Sequence, residues 1–391
     1  MRTSTIIVAA VGILSGCTEA IQLQRRTDGP PRVVGFDVER RAVSNPLKRD
    51  RIRRRSNTVT ATLDNEETLY FANGTLGTPA QSLRLHIDTG SSDLWVNTPS
   101  SALCSEKGSP SQMVADKLIN SNAYSLWLND LDASTGSILF GGVDTAQYHG
   151  QLETLPIQKE SGYYAEFLIT LTEVTLGSSV IAKNQALAVL LDSGSSLTYL
   201  PDAMTEAIYE VVGAQYDSSE GAAYVPCSLA SNSSTLNFTF TSPTISVDMN
   251  ELVIPVTSSS GRPLQFTDGT SACLFGIAPA GDSTSVLGDT FLRSAYVVYD
   301  LDNNEISLAQ TNFNATSTSV VEITSGTTAV PDATLVANAA SATAGSQSGG
   351  TIGGTVSLGT GSKSSSAATQ TPPPMLLGGM AALGAGIYYA M

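Results

Sequence analysis

The sequence predicts a two-lobed protein with related halves, and two observations lead to this fold class. The chain has 391 residues, a length that suits two domains of roughly 100–200 residues each. An apolar stretch that runs into Asp-Thr-Gly-Ser-Ser at 85–92 recurs as an apolar stretch that runs into Asp-Ser-Gly-Ser-Ser at 189–196. We therefore expect two lobes, each carrying one acidic turn at the end of a strand.

The charge distribution along the chain excludes some classes of function. Residues 1–55 carry 12 Lys/Arg and 5 Asp/Glu, whereas residues 56–391 carry 8 Lys/Arg and 30 Asp/Glu. A body this acidic repels phosphate, so we expect no nucleic-acid partner. This excess of acidic residues also predicts that the protein works best at low pH, where protonation of carboxylates reduces the repulsion among them. The mean hydropathy of +0.06 excludes a wholly disordered chain.

The N-terminus has the layout of a secretory signal peptide. Arg2 precedes an apolar run at 6–14, and the small residues Ser15, Gly16 and Ala20 follow. A short buried helix is the alternative, and 14–17 also matches a bacterial lipoprotein box. We predict a signal peptide at 1–20.

Basic clusters at 48–49 and 53–55 follow the signal. Processing proteases of the secretory pathway cut at such sites, because an acidic pocket binds paired cations. A solvated charge run and a nuclear signal are the alternatives. The upstream signal favours processing, which makes 21–55 a propeptide.

The C-terminal part is dominated by Ser, Thr, Ala and Gly from 314 to 371. This composition predicts a flexible stalk at 314–365. The apolar tail at 375–391 follows a polar spacer, and this order is typical of a glycosylphosphatidylinositol (GPI) attachment signal, here 366–391, which is removed on maturation. A tail-anchor helix is the alternative. We expect the mature protein on the extracellular face of the cell membrane, or in the cell wall.

Asn-x-Ser/Thr sequons become plausible glycan sites in a secreted chain. They occur at Asn73, Asn232, Asn237 and Asn314.

The two acidic turns carry the catalytic hypothesis. If the two halves pair about a pseudo-two-fold axis, Asp88 and Asp192 face each other. Like charges within about 3 Å cannot both ionise, so the pair shares one proton. The ionised carboxylate can act as general base on a water molecule, and the protonated one can polarise a carbonyl group.

The sequence resembles the pepsin-like aspartic proteases, and in particular the fungal, yapsin-like, GPI-anchored type. The matching segments are 70–79, 87–96, 138–144, 191–196 and 286–292. The resemblance implies an all-β bilobal fold, an N-terminal lobe at 56–165 and a C-terminal lobe at 166–313. It implies a monomer that binds its peptide substrate as an extended strand between the lobes. Supporting roles fall to Ser91 and Ser195, which hydrogen-bond the carboxylates, to Gly90 and Gly194 in the turns, and to Trp95 beneath the flap.

The first lobe departs from this pattern. In such folds a strand that ends in glycine threads the loop beneath each aspartate, and in the second lobe this glycine is Gly288, 96 residues after Asp192. Only 104 residues separate Asp88 from Asp192. That stretch must contain the flap, the equivalent strand and the crossing into the second lobe, so it is too short. We find no flap tyrosine and no first-lobe counterpart of Val286-Leu287-Gly288. We therefore predict that the flap region is missing, with a break near 109–111. The loss is expected to expose a long sheet edge.

Cysteines and histidines add little chemistry. Cys17 is removed with the signal peptide. Cys227 and Cys273 are expected to form a disulfide in the second lobe. Cys104 is then expected to have no partner. Neither His86 nor His149 belongs to a metalloprotease motif, and no Cys-x-x-Cys pair occurs. We expect no metal and no cofactor.

Three functions remain open. The first is an acid-active endopeptidase, and the second is a catalytically silent surface protein of the same fold. The third is a glycosidase with paired carboxylates, which needs carboxyl groups several Å further apart.

Overall fold

The computed structural model describes residues 32–40, 70–76, 81–90, 110–115, 117–133, 135–159, 162, 164, 166–258 and 261–342. Strands dominate this part of the chain and the helices are few and short, in agreement with the all-β prediction. The predicted signal peptide and attachment signal lie outside the described residues. None of the helices that the structure describes is long and apolar enough to cross a membrane.

The strands and helices follow one another along the chain in two groups. Strands of the first group are β1 (Val34–Arg40), β2 (Tyr70–Leu76), β3 (Gln81–His86), β4 (Ala123–Trp127), β5 (Thr135–Phe140), β6 (Gly142–Asp144) and β7 (Tyr148–Pro156). Strands of the second group are β8 (Leu168–Leu171), β9 (Glu173–Leu176), β10 (Ser179–Ala182), β11 (Leu187–Leu191), β12 (Thr198–Leu200), β13 (Gln215–Asp217), β14 (Ala222–Pro226), β15 (Thr235–Thr239), β16 (Thr244–Asp248), β17 (Val253–Ile254), β18 (Ala272–Phe275), β19 (Ile277–Pro279), β20 (Ser285–Leu287), β21 (Ala295–Asp300), β22 (Glu305–Thr311), β23 (Val320–Glu322) and β24 (Thr334–Leu335). The helices are α1 (Pro110–Ala115), α2 (Asp202–Val212), α3 (Met249–Leu252) and α4 (Asp289–Leu292), with a 3₁₀ turn at Cys227–Ser231.

A nine-stranded sheet joins the two predicted lobes, in the order β24-β7-β22-β21-β4-β5-β1-β2-β3. Strand β21 lies next to the middle strand β4 and pairs antiparallel with β4 and β22. All six residues of β21 are buried, because both faces of this central strand are covered. The apolar run Ala-Tyr-Val-Val-Tyr of β21 therefore fits a position inside the core, where strict alternation is not required.

Strand β1 lies within the predicted propeptide and is built into this sheet. It pairs with β5 from Val34↔Phe140 to Glu39↔Thr135, and with β2 on its other side. Val38 is fully buried. The segment predicted to be removed thus contributes a central strand and core contacts to the chain as the structure describes it.

Three sheets form the second lobe, in the orders β19-β12-β20-β11-β8, β10-β9-β15-β16 and β13-β14-β18-β17. In the first of these, β11 runs parallel to β20 with Leu190 opposite Val286. All five residues of β11 are buried. This parallel pair matters for function because β11 leads directly into Asp192.

Helix α2 covers one side of the second lobe. It buries Met204, Ile208 and Tyr209, and the Tyr209 hydroxyl donates to the Ile277 carbonyl at 2.8 Å. The helix ends at Gly213, which has a φ of 67°, a left-handed conformation that glycine adopts without strain.

The predicted disulfide joins Cys227 to Cys273, with a Cα–Cα distance of 5.0 Å and a sequence separation of 46. Strand pairing brings the cysteines together, since β14 pairs with β18 and the Cys227 N–H continues this ladder by donating to the Ser271 carbonyl at 3.0 Å.

The stalk prediction is wrong for residues 314–342, which pack against the body of the protein. We call this segment the strap. Strand β23 of the strap pairs with β6, and β24 pairs with β7. Ile323 is fully buried in a cluster with Val143 and Leu152. The composition concealed this packing, because a few apolar residues spaced along a Ser/Thr-rich segment suffice to fill one groove.

Candidate active site

Asp192 lies at the end of β11, where the chain turns. Its Oδ1 accepts a hydrogen bond from the Gly194 N–H at 2.8 Å, and its Oδ2 accepts one from the Ser195 hydroxyl at 2.7 Å. Asp192 and Ser195 are both buried. These bonds hold the plane of the carboxylate, which is the arrangement expected for Ser195 and Gly194 from the sequence.

The strand that ends in Gly288 threads the loop beneath Asp192. The Asp192 N–H donates to the Leu287 carbonyl at 3.1 Å, and the Asp289 N–H donates to the Ser195 carbonyl at 2.8 Å. A Cβ at Gly288 would overlap the carbonyl oxygens of Ser195 and Leu197. Only glycine therefore permits this close backbone crossing.

Asp88 occupies the matching position in the first lobe, after β3. Its Oδ1 accepts a hydrogen bond from the Gly90 N–H at 3.0 Å, as Asp192 does from Gly194. Asp88 is half-buried. Ser91 and Trp95 lie outside the described residues, and their predicted supporting roles stay predictions.

The two acidic loops are locked together by reciprocal hydrogen bonds between Thr89 and Ser193. The Thr89 N–H donates to the Ser193 hydroxyl at 3.2 Å, and the Ser193 N–H donates to the Thr89 hydroxyl at 2.9 Å. Each hydroxyl also reaches across to the other loop: Thr89 donates to the Leu191 carbonyl at 2.9 Å, and Ser193 donates to the Ile87 carbonyl at 3.1 Å. The pattern is two-fold symmetric and fixes one acidic loop against the other.

The sequence analysis did not select Thr89 and Ser193, although the signal was present. They occupy the same place in the two repeats, directly after the aspartates, and both carry a hydroxyl group. A hydroxyl can donate and accept at the same time, which the reciprocal arrangement requires.

Asp192 lies against the first-lobe turn. A Cβ at Gly90 would overlap the Asp192 carboxylate, so the absence of a side chain at Gly90 leaves the room that this carboxylate occupies. The acidic group of one lobe therefore projects onto the acidic turn of the other, as the paired-carboxylate hypothesis requires.

Among the described residues, strand β3, which leads to Asp88, has no counterpart of the support that β20 gives to β11. Among the described residues it pairs with β2 alone and stands at the end of the nine-stranded order. The strand that contains Leu139-Phe140 pairs instead with β1 and β4. The support under the two aspartates is therefore unequal in the part of the chain that the structure describes.

The remaining predicted residues lie away from the acidic loops in sequence. Asn232 is exposed and Asn314 is exposed with a φ of 55°. Asn237 is half-buried, and its amide donates to the Thr175 hydroxyl at 3.2 Å. Asn73 lies in β2, opposite Arg84. Cys104 lies outside the described residues, and the part of the chain that is described contains no cluster suited to a metal ion.

Two acidic loops on related lobes, clamped by hydroxyl groups and supported by backbone N–H groups, define an aspartic protease. A family model described as eukaryotic aspartyl protease matches residues 69–112 and 99–311. The chain belongs to this family.

Named relatives agree with this assignment. The chain is 44% identical to "Probable aspartic-type endopeptidase opsB" of Aspergillus oryzae over 445 aligned positions, covering 89% of this chain and 90% of the relative. It is 40% identical to "Probable aspartic-type endopeptidase OPSB" of Arthroderma benhamiae, covering 98% of both proteins. The crystal structure of an aspartic proteinase from Irpex lacteus covers 73% of this chain and all of its own, with a TM-score of 0.53 and 18% identity. That likeness concerns the fold alone. The chain is thus a protease of the aspartic type.

Proposed function

We propose that this chain is the precursor of a secreted, GPI-anchored endopeptidase that uses Asp88 and Asp192 to hydrolyse peptide bonds at acidic pH. The observation that carries the proposal is the reciprocal clamp between Thr89 and Ser193, because it joins the two loops that contain Asp88 and Asp192. Peptide is the substrate class of the family.

The proposed chemistry follows from a pair of carboxyl groups that share one proton. The ionised carboxylate takes a proton from a water molecule, whose oxygen attacks the carbonyl carbon of the peptide. The protonated carboxyl group donates a hydrogen bond to the carbonyl oxygen as negative charge develops there. A proton then passes to the amide nitrogen, the C–N bond breaks, and an acid and an amine are released.

Acidic conditions suit this mechanism and this chain. One carboxyl group must remain protonated for the cycle to begin, and the body of the chain carries 30 Asp/Glu against 8 Lys/Arg. Lowering the pH reduces repulsion among these carboxylates. We expect activity to fall toward neutral pH.

A peptide cleavage assay at about pH 3 to 6, with and without a pepstatin-type inhibitor, tests the proposal. Asp88→Asn and Asp192→Asn should each lower kcat by about 100-fold to 10,000-fold, the range that general acid–base groups contribute. Asp268→Asn is the matched control, since Asp268 is exposed in a loop of the second lobe. Activity that survives both active-site substitutions would refute the paired mechanism.

A catalytically silent homologue is the second candidate, and the unequal support of the aspartates favours it. Strand β3 pairs with β2 alone among the described residues. The alignment with the Aspergillus oryzae relative extends over 445 positions, more than the 391 residues of this chain, so some positions of that relative have no counterpart here. The family match is also divided, at 69–112 and 99–311.

These observations support an internal segment missing near 109–111 that includes the flap. A flap closes over the substrate and excludes water, so its loss would leave a folded protein with little activity. Sequencing the transcript across 99–112 separates the cases. Additional codons there would restore the enzyme, whereas an uninterrupted reading frame together with a negative cleavage assay would support the silent homologue.

Membrane attachment is tested separately. A phosphatidylinositol-specific phospholipase should release the mature protein from cells, and deletion of 366–391 should send it directly to the medium. Protein that resists the phospholipase but dissolves in detergent would indicate a tail-anchor helix instead.

A further inference from the structure

Two tyrosines are stacked in the central sheet close to the acidic loops. Tyr124 in β4 lies directly opposite Tyr299 in β21, with ring centroids 4.8 Å apart and an angle of 19° between the ring planes. Tyr299 is fully buried and Tyr124 is 8% exposed. Phenylalanine would supply the same ring contacts, so the hydroxyl groups require a separate explanation.

A buried tyrosine hydroxyl normally has a hydrogen-bond partner. Tyr296, three residues earlier on the same strand, follows this rule: it accepts from the Asp144 N–H at 2.7 Å and donates to the Ser125 hydroxyl at 2.8 Å. The Tyr299 hydroxyl makes no hydrogen bond of good geometry with the described residues. Burying the Tyr299 hydroxyl without a hydrogen bond costs free energy, and the packing of its ring does not offset this cost.

The Tyr299 ring lies beside the clamp, because it packs on Phe167 with ring centroids 4.7 Å apart and the Phe167 carbonyl accepts the Leu191 N–H at 3.2 Å. Burial raises the pKa of Tyr299, the neighbouring Thr89 hydroxyl acts in the opposite direction, and the charge of Asp192 adds to the increase. The pKa of Tyr124 is raised by burial, by Tyr299 and by the charge of Asp88. The charged groups that face the tyrosine pair are thus the two active-site aspartates.

Thr89 has one hydrogen-bonding position left for Tyr299. A hydroxyl has one hydrogen and two lone pairs. Thr89 uses its hydrogen on the Leu191 carbonyl and one lone pair on the Ser193 N–H. The second lone pair can accept the Tyr299 proton.

We propose that Tyr299 is a positioning residue whose hydroxyl donates to Thr89 and thereby fixes the position of the Asp88 loop relative to the Asp192 loop. Hydrogen bonds of catalytic groups are often long before substrate binds and tighten in the complex. Tyr299 would act in this way through Thr89, without touching the substrate. This inference rests on the proposed endopeptidase function.

Tyr299→Phe is the test, because it removes one oxygen and keeps the ring stacked on Tyr124. We expect kcat to fall about 5-fold to 30-fold with KM unchanged, the range that one hydrogen bond accounts for, and the acidic limb of the pH–rate profile to shift. Tyr296→Phe is the matched control: it removes a satisfied hydroxyl, so it should lower stability and leave the pH profile unchanged.

A second readout needs no catalysis. The Ser193 amide donates to Thr89, so hydrogen exchange at Ser193 should accelerate in Tyr299→Phe and not in Tyr296→Phe. This measurement separates the two proposals: an inactive wild type with accelerated exchange refutes the enzyme function but retains the role of Tyr299. In the active protein, the kcat effect of Tyr299→Phe should vanish in a Thr89→Val background. An unchanged pH profile together with unchanged exchange at Ser193 overturns the inference.

Discussion

The clamp between the acidic loops makes a quantitative prediction for Thr89→Val. Valine has almost the shape of threonine but cannot hydrogen-bond. The substitution removes the bond from Thr89 to the Leu191 carbonyl and the bond from the Ser193 N–H to Thr89, both at 2.9 Å. Leu191 and Ser193 are fully buried, so water does not replace the lost partner.

The expected loss follows from these two orphaned backbone groups. Each buried polar group without a partner costs about 1–3 kcal/mol, so we expect the free energy of unfolding to fall by about 2–6 kcal/mol. Thr170→Val is the matched control. Thr170 is also buried, but its hydroxyl has no hydrogen-bond partner in the part of the chain that the structure describes, so the same exchange there should not lower stability and is expected to raise it.

Urea unfolding followed by tryptophan fluorescence and circular dichroism measures both variants. The midpoint of Thr89→Val should fall well below that of the wild type, while the midpoint of Thr170→Val should lie at or above it. Equal midpoints for the two variants would show that the clamp bonds contribute nothing net, and the reasoning from the buried loop partners would fail. Because this assay reads stability, it remains decisive whether or not the chain cleaves peptides.

Three further predictions concern the rest of the molecule. Burial and the neighbouring Asp300 raise the pKa of Glu305, so its contribution to stability is present below the ordinary glutamate pKa and is lost as the pH rises through the folded pKa. The Glu305→Gln variant should therefore gain thermal stability relative to the wild type between about pH 4 and pH 7. A constant difference in melting temperature between the two proteins across that range would contradict this. Glu251 is buried against Arg293 and also accepts a hydrogen bond from the Leu131 N–H at 3.1 Å. Glu251→Ala should therefore lower the free energy of unfolding by about 3–5 kcal/mol. Urea titration measures this loss, and Glu210→Ala, at an exposed position, should not show it. Replacing both Cys227 and Cys273 by serine opens a cross-link with a sequence separation of 46, which should cost about 4 kcal/mol by the chain-entropy relation; a wild type that loses no stability on reduction would argue against it.

The repeat predicted the centre of the site because its chemistry is local. An aspartate followed by a hydroxyl residue and glycine dictates its own turn, and the structure places Gly90 and Gly194 as N–H donors to Asp88 and Asp192. The crossing at Gly288 comes from the structure, which shows that glycine alone fits where these two backbone segments touch.

The clamp was harder to predict because its bonds join residues 104 positions apart in sequence. Their existence depends on how the lobes meet, which no local pattern encodes. Tyr299 is similar: its sequence context indicates only a buried strand, and its position opposite Tyr124 follows from the order of the nine-stranded sheet.

The strap was missed for a different reason, because composition averages over position. Most of its residues are small or polar, yet Ile323, Ala329 and Val330 are buried. A few apolar residues in a polar segment hardly change its mean composition, but each fills a site that the rest of the chain has already shaped.

The strap also decides where this protein should be divided for laboratory work. The Ala340 N–H donates to the Thr241 hydroxyl at 2.9 Å, and the Ala342 N–H donates to the Gln158 side chain at 3.2 Å. An expression vector that stops at 313 would remove these bonds and uncover the groove that Ile323 fills, inviting insoluble product. Affinity tags and fusion partners therefore belong after 342.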